Sequence, residues 1–151
     1  QRADVKGNAE HVARYFNKYS GLRRYIAEIK ELANTERKVS GWFGRTRRLD
    51  AMYAEDWRVR KQGEREALNM PIHSTAADIC KIAMLALDKQ GYPMVLQVHD
   101  EIIMEIPTKQ AKLEARYFKE YLPTLVNING MTFPVDIGIG SNWLEAKKEA
   151  K

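Results

Sequence analysis

Three polar residues, His99, Asp100 and Glu101, sit between two apolar runs, Met-Val-Leu-Gln-Val before them and Ile-Ile-Met-Glu-Ile after them. Both runs have the β-rich character of short strands, so the pattern predicts an antiparallel hairpin with the polar trio at or beside its turn. Two neighbouring carboxylates beside an imidazole are costly to desolvate without a counter-charge. A divalent cation is the obvious one. Oxygen-only ligation by Asp and Glu suits magnesium, which keeps several waters and binds one or two carboxylates together with substrate phosphates. That chemistry is phosphoryl or nucleotidyl transfer. A polar turn between strands is also an ordinary solvent-facing feature, and the hairpin alone does not decide between the two. A third reading takes His99-Asp100 as the His-Asp pair of a metal phosphohydrolase. It needs further His and Asp ligands on helices, whereas the other histidines are His11 and His73.

The elements that must position this turn follow from periodicity. Over residues 8–37, apolar residues recur at helical spacing and are interrupted at Ser20-Gly21, which predicts two helices. Residues 39–49 are glycine-punctuated at Gly41 and Gly44 and read as a tight turn or small hairpin carrying arginines. A charged helix is expected over 55–68, ended by Pro71. A second runs over 74–89, with Ser74 or Thr75 as its cap, Asp78 near its positive end, and Gly91 and Pro93 as its stop. After the hairpin come an amphipathic helix over 108–126, an alternating strand over 132–139, and a tail with a short helix over 140–151. The fold class is α+β: an antiparallel sheet, made of the hairpin and a C-terminal strand, packed against several helices. The chain divides into residues 1–70, helices with the basic turn, and 71–151, the part with the hairpin, as one continuous unit.

Composition narrows the function classes. The chain has 151 residues, 44% of them hydrophobic, enough for one domain or a share of a larger one. Lys and Arg number 25 against 20 Asp and Glu, and Arg45, Arg47, Arg48, Arg58, Arg60, Lys61 and Arg65 crowd one stretch. Such a stripe suits a polyanion, although a charge run is ordinarily a solvated face. The single cysteine, Cys80, excludes an internal disulfide and a zinc cluster, so an intracellular reducing compartment is expected. No apolar run approaches the roughly 18 to 20 residues that cross a bilayer, and residues 1–8 lack the apolar core of a leader, so a soluble protein without a membrane is expected. Cys80, Trp42, Trp57, Tyr117 and Trp143 are assigned to packing. The start at Gln1 suggests a fragment.

The string Leu96-Gln-Val-His-Asp-Glu-Ile-Ile-Met-Glu-Ile-Pro107 resembles motif C of family A (DNA polymerase I-like) DNA polymerases, in which a Val-His-Asp-Glu turn joins two palm strands. Glu64-Arg-Glu-Ala-Leu-Asn-Met-Pro-Ile-His-Ser-Thr-Ala-Ala-Asp78 looks like the helix before that motif, and Gly138-Ile-Gly-Ser-Asn-Trp143 is similar to the family's C-terminal signature. The stretch Tyr15 to Tyr25 and the string Gly44-Arg-Thr-Arg-Arg48 resemble the region after the fingers nucleotide-binding helix. The resemblance runs almost end to end and in order.

It implies template-directed addition of deoxynucleotides to a primer 3′ end, with residues 1–70 leading from fingers to palm and 71–151 in the palm. Asp100 would be a catalytic Mg2+ ligand, with Glu101 beside it tuning or sharing the site, and His99 would lie against the primer 3′ end. Arg65 and Asn69 match positions that contact primer-template DNA, and Arg45 and Arg48 fall in a loop that approaches its backbone. His73 stands where the family usually has a Gln that hydrogen-bonds in the minor groove, and Ser74 replaces a common Gly. His73 can still donate one hydrogen bond there, or it can simply cap the helix. Two-metal catalysis uses ions roughly 3.5 to 4 Å apart, clamped between carboxylates from separate strands. The motif A aspartate and the triphosphate-binding fingers helix have no counterpart in these 151 residues. The implied partners are therefore primer-template DNA, deoxynucleoside triphosphates and an upstream polymerase polypeptide or missing N-terminal part. The chain alone is not expected to polymerise DNA. A second implied possibility is a non-catalytic nucleic-acid-binding subunit that keeps the palm fold.

Overall fold

The computed structural model describes residues 5–150, in two compact units, Gln1–Thr75 and Ala76–Lys151. Of the residues read above for a leader and a fragment start, 1–4 lie outside the described residues.

The first unit opens with α1 (Val5–Lys18) and α2 (Ser20–Glu36), separated where the Ser-Gly pair predicted a break. Arg37 closes α2 in the left-handed region, with φ 53°. The chain then forms β1 (Lys38–Ser40) and β2 (Thr46–Arg48), an antiparallel pair in which Val39 faces Arg47. Gly44, with φ +83°, makes the hairpin turn, and Gly41 lies so close to Ser74 that a Cβ would collide with its hydroxyl. The core of this unit is Ala33, Val39, Leu49 and Ala67, with Ile29, Met52 and Met70 packed on it. A 3-10 turn at Asp50–Tyr53 places Tyr53 Oη to donate to the Ala33 carbonyl at 2.9 Å.

The expected break at Pro71 does not occur. One helix, α3, runs from Trp57 to Lys89 with the proline inside it. Proline removes one i to i−4 bond and crowds the carbonyl before it, at a cost of about 3 kcal/mol in an unsupported helix. Here other groups take up the carbonyls of that turn. Tyr25 Oη donates to the Leu68 carbonyl at 3.0 Å, while Ser74 and Thr75 hydroxyls donate to the Pro71 carbonyl at 3.3 and 2.6 Å. Ser74 and Thr75 are therefore mid-helix residues and not caps, and Asp78 has no helix N-terminus beside it. The C-terminal stop is as expected: Gly91 adopts φ +78°, and Gly91 and Tyr92 amides return to the Asp88 and Leu87 carbonyls in a Schellman closure.

The second unit continues with β3 (Met94–Val98) and β4 (Glu101–Met104), antiparallel, with Val98 opposite Glu101. Next comes α4 (Thr108–Tyr121), shorter than expected because a 3-10 turn containing Pro123 follows it at Leu122–Thr124. A minimal hairpin, β5 (Asn127–Ile128) with β6 (Met131–Thr132), precedes the last helix, α5 (Trp143–Glu149). The α+β class stands, but the expected strand over 132–139 does not form beyond Thr132. Residues 133–137 keep their alternating exposure while Pro134 offers no donor, and no strand among the described residues pairs with residues 133–139. The sheet content is thus three separate two-stranded ladders.

Leu87, Phe118, Val126 and Ile128 are the buried apolar residues of this unit, and Tyr92 meets Phe118 edge-on at 4.7 Å between ring centres. The packing roles assigned to the large aromatics do not hold: Trp42, Trp57, Tyr117 and Trp143 are all exposed, and Cys80 is half-buried. Their apolar neighbours in sequence belong to other faces of the same elements.

Tyr92 supplies a test of the second unit. Its Oη donates to Glu114 Oε2 at 2.6 Å, and this bond, with burial and the Glu114 charge, pushes its pKa from 10.0 up to about 12. The folded pKa lies above the unfolded one, so this contribution is complete below pH 10 and is lost as pH rises from 10 to 12. In alkaline titration followed by tyrosinate absorbance, one tyrosine should ionise near pH 12 and vanish in Tyr92→Phe. Ionisation of Tyr92 at its ordinary value of 10.0 would refute the assignment.

Candidate active-site turn and nucleic-acid groove

In the second unit the two strands deliver the carboxylates to a two-residue turn. His99 occupies the first turn position with φ 55°, and Asp100 completes it before Glu101 opens β4. A left-handed φ is unusual for a side chain bearing a Cβ, though histidine tolerates it better than β-branched residues do. The Gln97 amide donates to the His99 carbonyl and also lies 3.9 Å from Cys80 Sγ, which ties the turn to α3 within this unit. Burial pushes the Cys80 thiol up, and the nearby Asp100 charge adds to that. His99 and Asp100 are exposed.

The two carboxylates have different surroundings. Asp100 makes no hydrogen bond or ion pair among the described residues. Glu101 Oε1 accepts from Lys147 Nζ at 2.7 Å, while its Oε2 is buried and has no hydrogen-bond partner among the described residues. An exposed carboxylate at the tip beside a second, unpartnered carboxylate oxygen is a donor set that fits a hard divalent cation. It is a partial set: no group of three or more His, Cys, Asp or Glu suited to a metal exists among the described residues. Lys147, which the sequence did not flag, arrives on α5.

The first unit holds the basic surface. An open groove of about 820 Å³ is lined by β2, the loop before it and one face of α3, with Arg45, Arg47, Arg65, Asn69 and His73 among its walls. Arg65, Asn69 and His73 recur at four-residue spacing along α3, so a continuous helix puts them in one exposed row. His73 lies mid-helix, and the capping alternative for it has nothing to cap.

Of the residues singled out in sequence, the structure brings Arg45, Arg65, Asn69 and His73 together. It does not bring Arg48, which is absent from the groove lining and whose guanidinium lies 3.5 Å from Asp50 with 83% of the side chain exposed. Arg47, not singled out, does line the groove and donates to Glu66 Oε2 at 2.7 Å. The signal for this was the period of two in a strand: Arg45 and Arg47 share a face and Arg48 points the other way.

Comparison with known proteins adds an independent line. The sequence model described as "DNA polymerase family A" matches residues 2–145. DNA polymerase I of Deinococcus radiodurans is 38% identical over 137 residues, 88% of this chain and 14% of that protein. The thermostable DNA polymerase I of Thermus aquaticus is 36% identical over 141 residues, 91% of this chain and 17% of that protein. The chain thus spans 14% and 17% of the lengths of these two relatives. A solved structure, the POL domain of Pol1 from M. smegmatis in complex with DNA primer-template and dNTP, superposes with a TM-score of 0.85 at 28% identity. That match covers 97% of this chain and 27% of the other.

The turn geometry makes its own prediction. Glycine adopts a left-handed φ without the steric cost a Cβ brings, so His99→Gly should stabilise the isolated chain by about 0.5 to 1 kcal/mol, net of the freedom glycine adds to the unfolded state. Thermal unfolding of the two proteins checks this. A lower melting temperature for the glycine variant would mean that the imidazole contributes more to the turn than its backbone conformation costs.

Proposed function

We propose, from the premise that this chain belongs to DNA polymerase family A, that it is the part of a DNA-directed DNA polymerase that contributes one acidic turn of the catalytic centre and a groove for primer-template DNA. The observation that carries the reading is the Asp100-Glu101 turn: one exposed carboxylate without a partner among the described residues beside a second with an oxygen unpartnered among them. The reaction is nucleotidyl transfer from a deoxynucleoside triphosphate to a primer 3′ hydroxyl.

Asp100 is the catalytic ligand of Mg2+, and Glu101 shares or tunes that site. Asp100 and Glu101 would hold a magnesium ion there, which would supply Lewis-acid chemistry to the 3′ hydroxyl and charge neutralisation to the phosphates. The aspartate that completes the two-metal set comes from polymerase sequence outside this chain, and so do the fingers residues that hold the triphosphate. His99, exposed at the same turn, lies against the primer terminus.

In the groove, Arg45 and Arg65 meet phosphate oxygens, which all sequences present alike, so they position DNA without selecting it. Asn69 and His73 offer hydrogen-bond donors toward the minor-groove edge. The acceptors there are common to every Watson-Crick pair, so a donor tests pair geometry and not identity. His73 does this with one ring N–H in place of the amide the family usually has. Arg48 belongs to the same basic loop and meets the backbone from its outer side.

No helix among the described residues is long and apolar enough to cross a membrane. A soluble intracellular enzyme acting on DNA agrees with that and with the reduced state expected of Cys80.

Magnesium-dependent primer extension tests the reading, comparing this chain alone with the chain supplied with an upstream family A polypeptide. Extension should appear only in the combined sample and disappear with Asp100→Ala. Arg65→Ala should weaken DNA binding evenly across sequences and reduce the slope of log affinity against log salt by about 1. His73→Gln should alter extension from mismatched primers. Activity that survives Asp100→Ala would remove the catalytic reading, and salt-dependent DNA binding with no extension in any combination would leave a nucleic-acid-binding subunit in its place.

A further inference from the structure

The ion pair between Lys147 and Glu101 joins residues 46 positions apart, and the segment that delivers the lysine is built to do so. Asn142 caps α5, its Oδ1 accepting from the Glu145 amide at 3.0 Å. Glu145 Oε2 in turn accepts from the Ser141 amide at 3.0 Å and the Ser141 hydroxyl at 2.6 Å, bonds that hold its carboxyl below the usual range. Glu149 accepts from the Ile139 amide at 2.6 Å. Gly138 and Gly140 lie directly on the backbone of Ala146 and Glu145, where any Cβ would collide. The Gly-Ile-Gly-Ser-Asn-Trp string is thus the seat on which α5 is locked, and the lock fixes where the Lys147 ammonium sits.

We propose that Lys147 is a positioning residue of the catalytic turn and a built-in competitor of the metal for Glu101. By holding Oε1 it leaves Glu101 a single oxygen, Oε2, to offer a cation, and its charge offsets one of the two adjacent carboxylates. The turn therefore binds a divalent ion more weakly than two free carboxylates would. Firm binding then depends on oxygens brought by the rest of the centre and by the triphosphate. The inference rests on the reading of Asp100 as a cation ligand.

The experiment is Mn2+ binding to this chain, read from the electron paramagnetic resonance signal of the free ion, without DNA, nucleotide or turnover. Lys147→Met should bind Mn2+ about threefold to fivefold more tightly, the range expected for removing a half-exposed ion pair. Lys147→Gln, whose amide can still bond Oε1 and keep α5 seated but carries no charge, should show a smaller gain than Lys147→Met, and Lys147→Arg should match the unaltered chain. In a Glu101→Gln background the gain should vanish. Unchanged or weaker binding in both neutral variants overturns the proposal, and so does an equal gain in the Glu101→Gln background, which would reflect only net charge. Asp100→Asn should abolish binding throughout; if it does not, the cation reading of the turn fails, and this inference with it. Loss in Asp100→Asn with no effect at Lys147 overturns the inference alone.

Discussion

Two like charges on consecutive residues at the tip of a two-stranded ladder are the constraint around which residues 76–150 are organised. At separations of a few ångströms such charges repel by about 1 kcal/mol even in a fully aqueous setting, and by more as the surroundings become less polar. A lone two-stranded hairpin is marginal to begin with. The chain meets both difficulties with bonds from outside the strands. The Gln97 amide fixes the His99 carbonyl, and α5 carries a cation to Glu101. Asp100 is left exposed, so one carboxylate is tied down by a tertiary bond while its neighbour faces solvent.

The first unit depends in the same way on a local rule being overridden. Arg65, Asn69 and His73 line up only if α3 passes through Pro71 without breaking, because a stop and restart there would rotate the last of them away from the other two. The stabilising bonds are tertiary or side-chain bonds: Tyr25 from α2 reaches the Leu68 carbonyl, and the Ser74 and Thr75 hydroxyls reach the Pro71 carbonyl. The Thr75 hydroxyl also accepts from the Trp42 amide at 2.9 Å, which ties the β1–β2 loop to the same turn of the helix. The proline is thereby held inside the helix that forms one wall of the groove.

What was legible in the sequence follows from which forces are local. The α1–α2 break at Ser20-Gly21, the glycine-turned arginine hairpin, the Gly91 closure and the β3–β4 hairpin are all written in neighbouring residues, and each appears. The continuity of α3 was not legible, because it depends on Tyr25, 46 residues before the proline. The strand over 133–139 was misread because alternation reports which side chains face inward and says nothing of whether a partner strand exists to complete the ladder. The position of the polar turn was legible from residue type and strand pattern, whereas its reading as a cation site was decided only by the family resemblance. Lys147 was not legible, since a lysine in a tail of alternating Lys and Glu carries no mark until the Gly138 and Gly140 contacts fix the direction of α5.

The groove shows why charge count is a poor guide to which arginines act. Arg47 spends its guanidinium on Glu66, whose own carboxylate is held from the other side by the Gln62 amide at 3.0 Å, so this pair fixes β2 against α3 and adds little net charge. Arg48, its side chain largely exposed, faces Asp50. Arg65 makes no ion pair among the described residues, and one and two turns beyond it the same row offers the side-chain N–H donors of Asn69 and His73. A row with a guanidinium at one end and hydrogen-bond donors beyond it matches the duplex it is proposed to hold, where the backbone is charged and the base edge is not. On the proposed function, the discrimination such a surface exerts would be of shape: a mispaired end that shifts its minor-groove acceptors would lose bonds to Asn69 and His73 while Arg65 would still meet the phosphate.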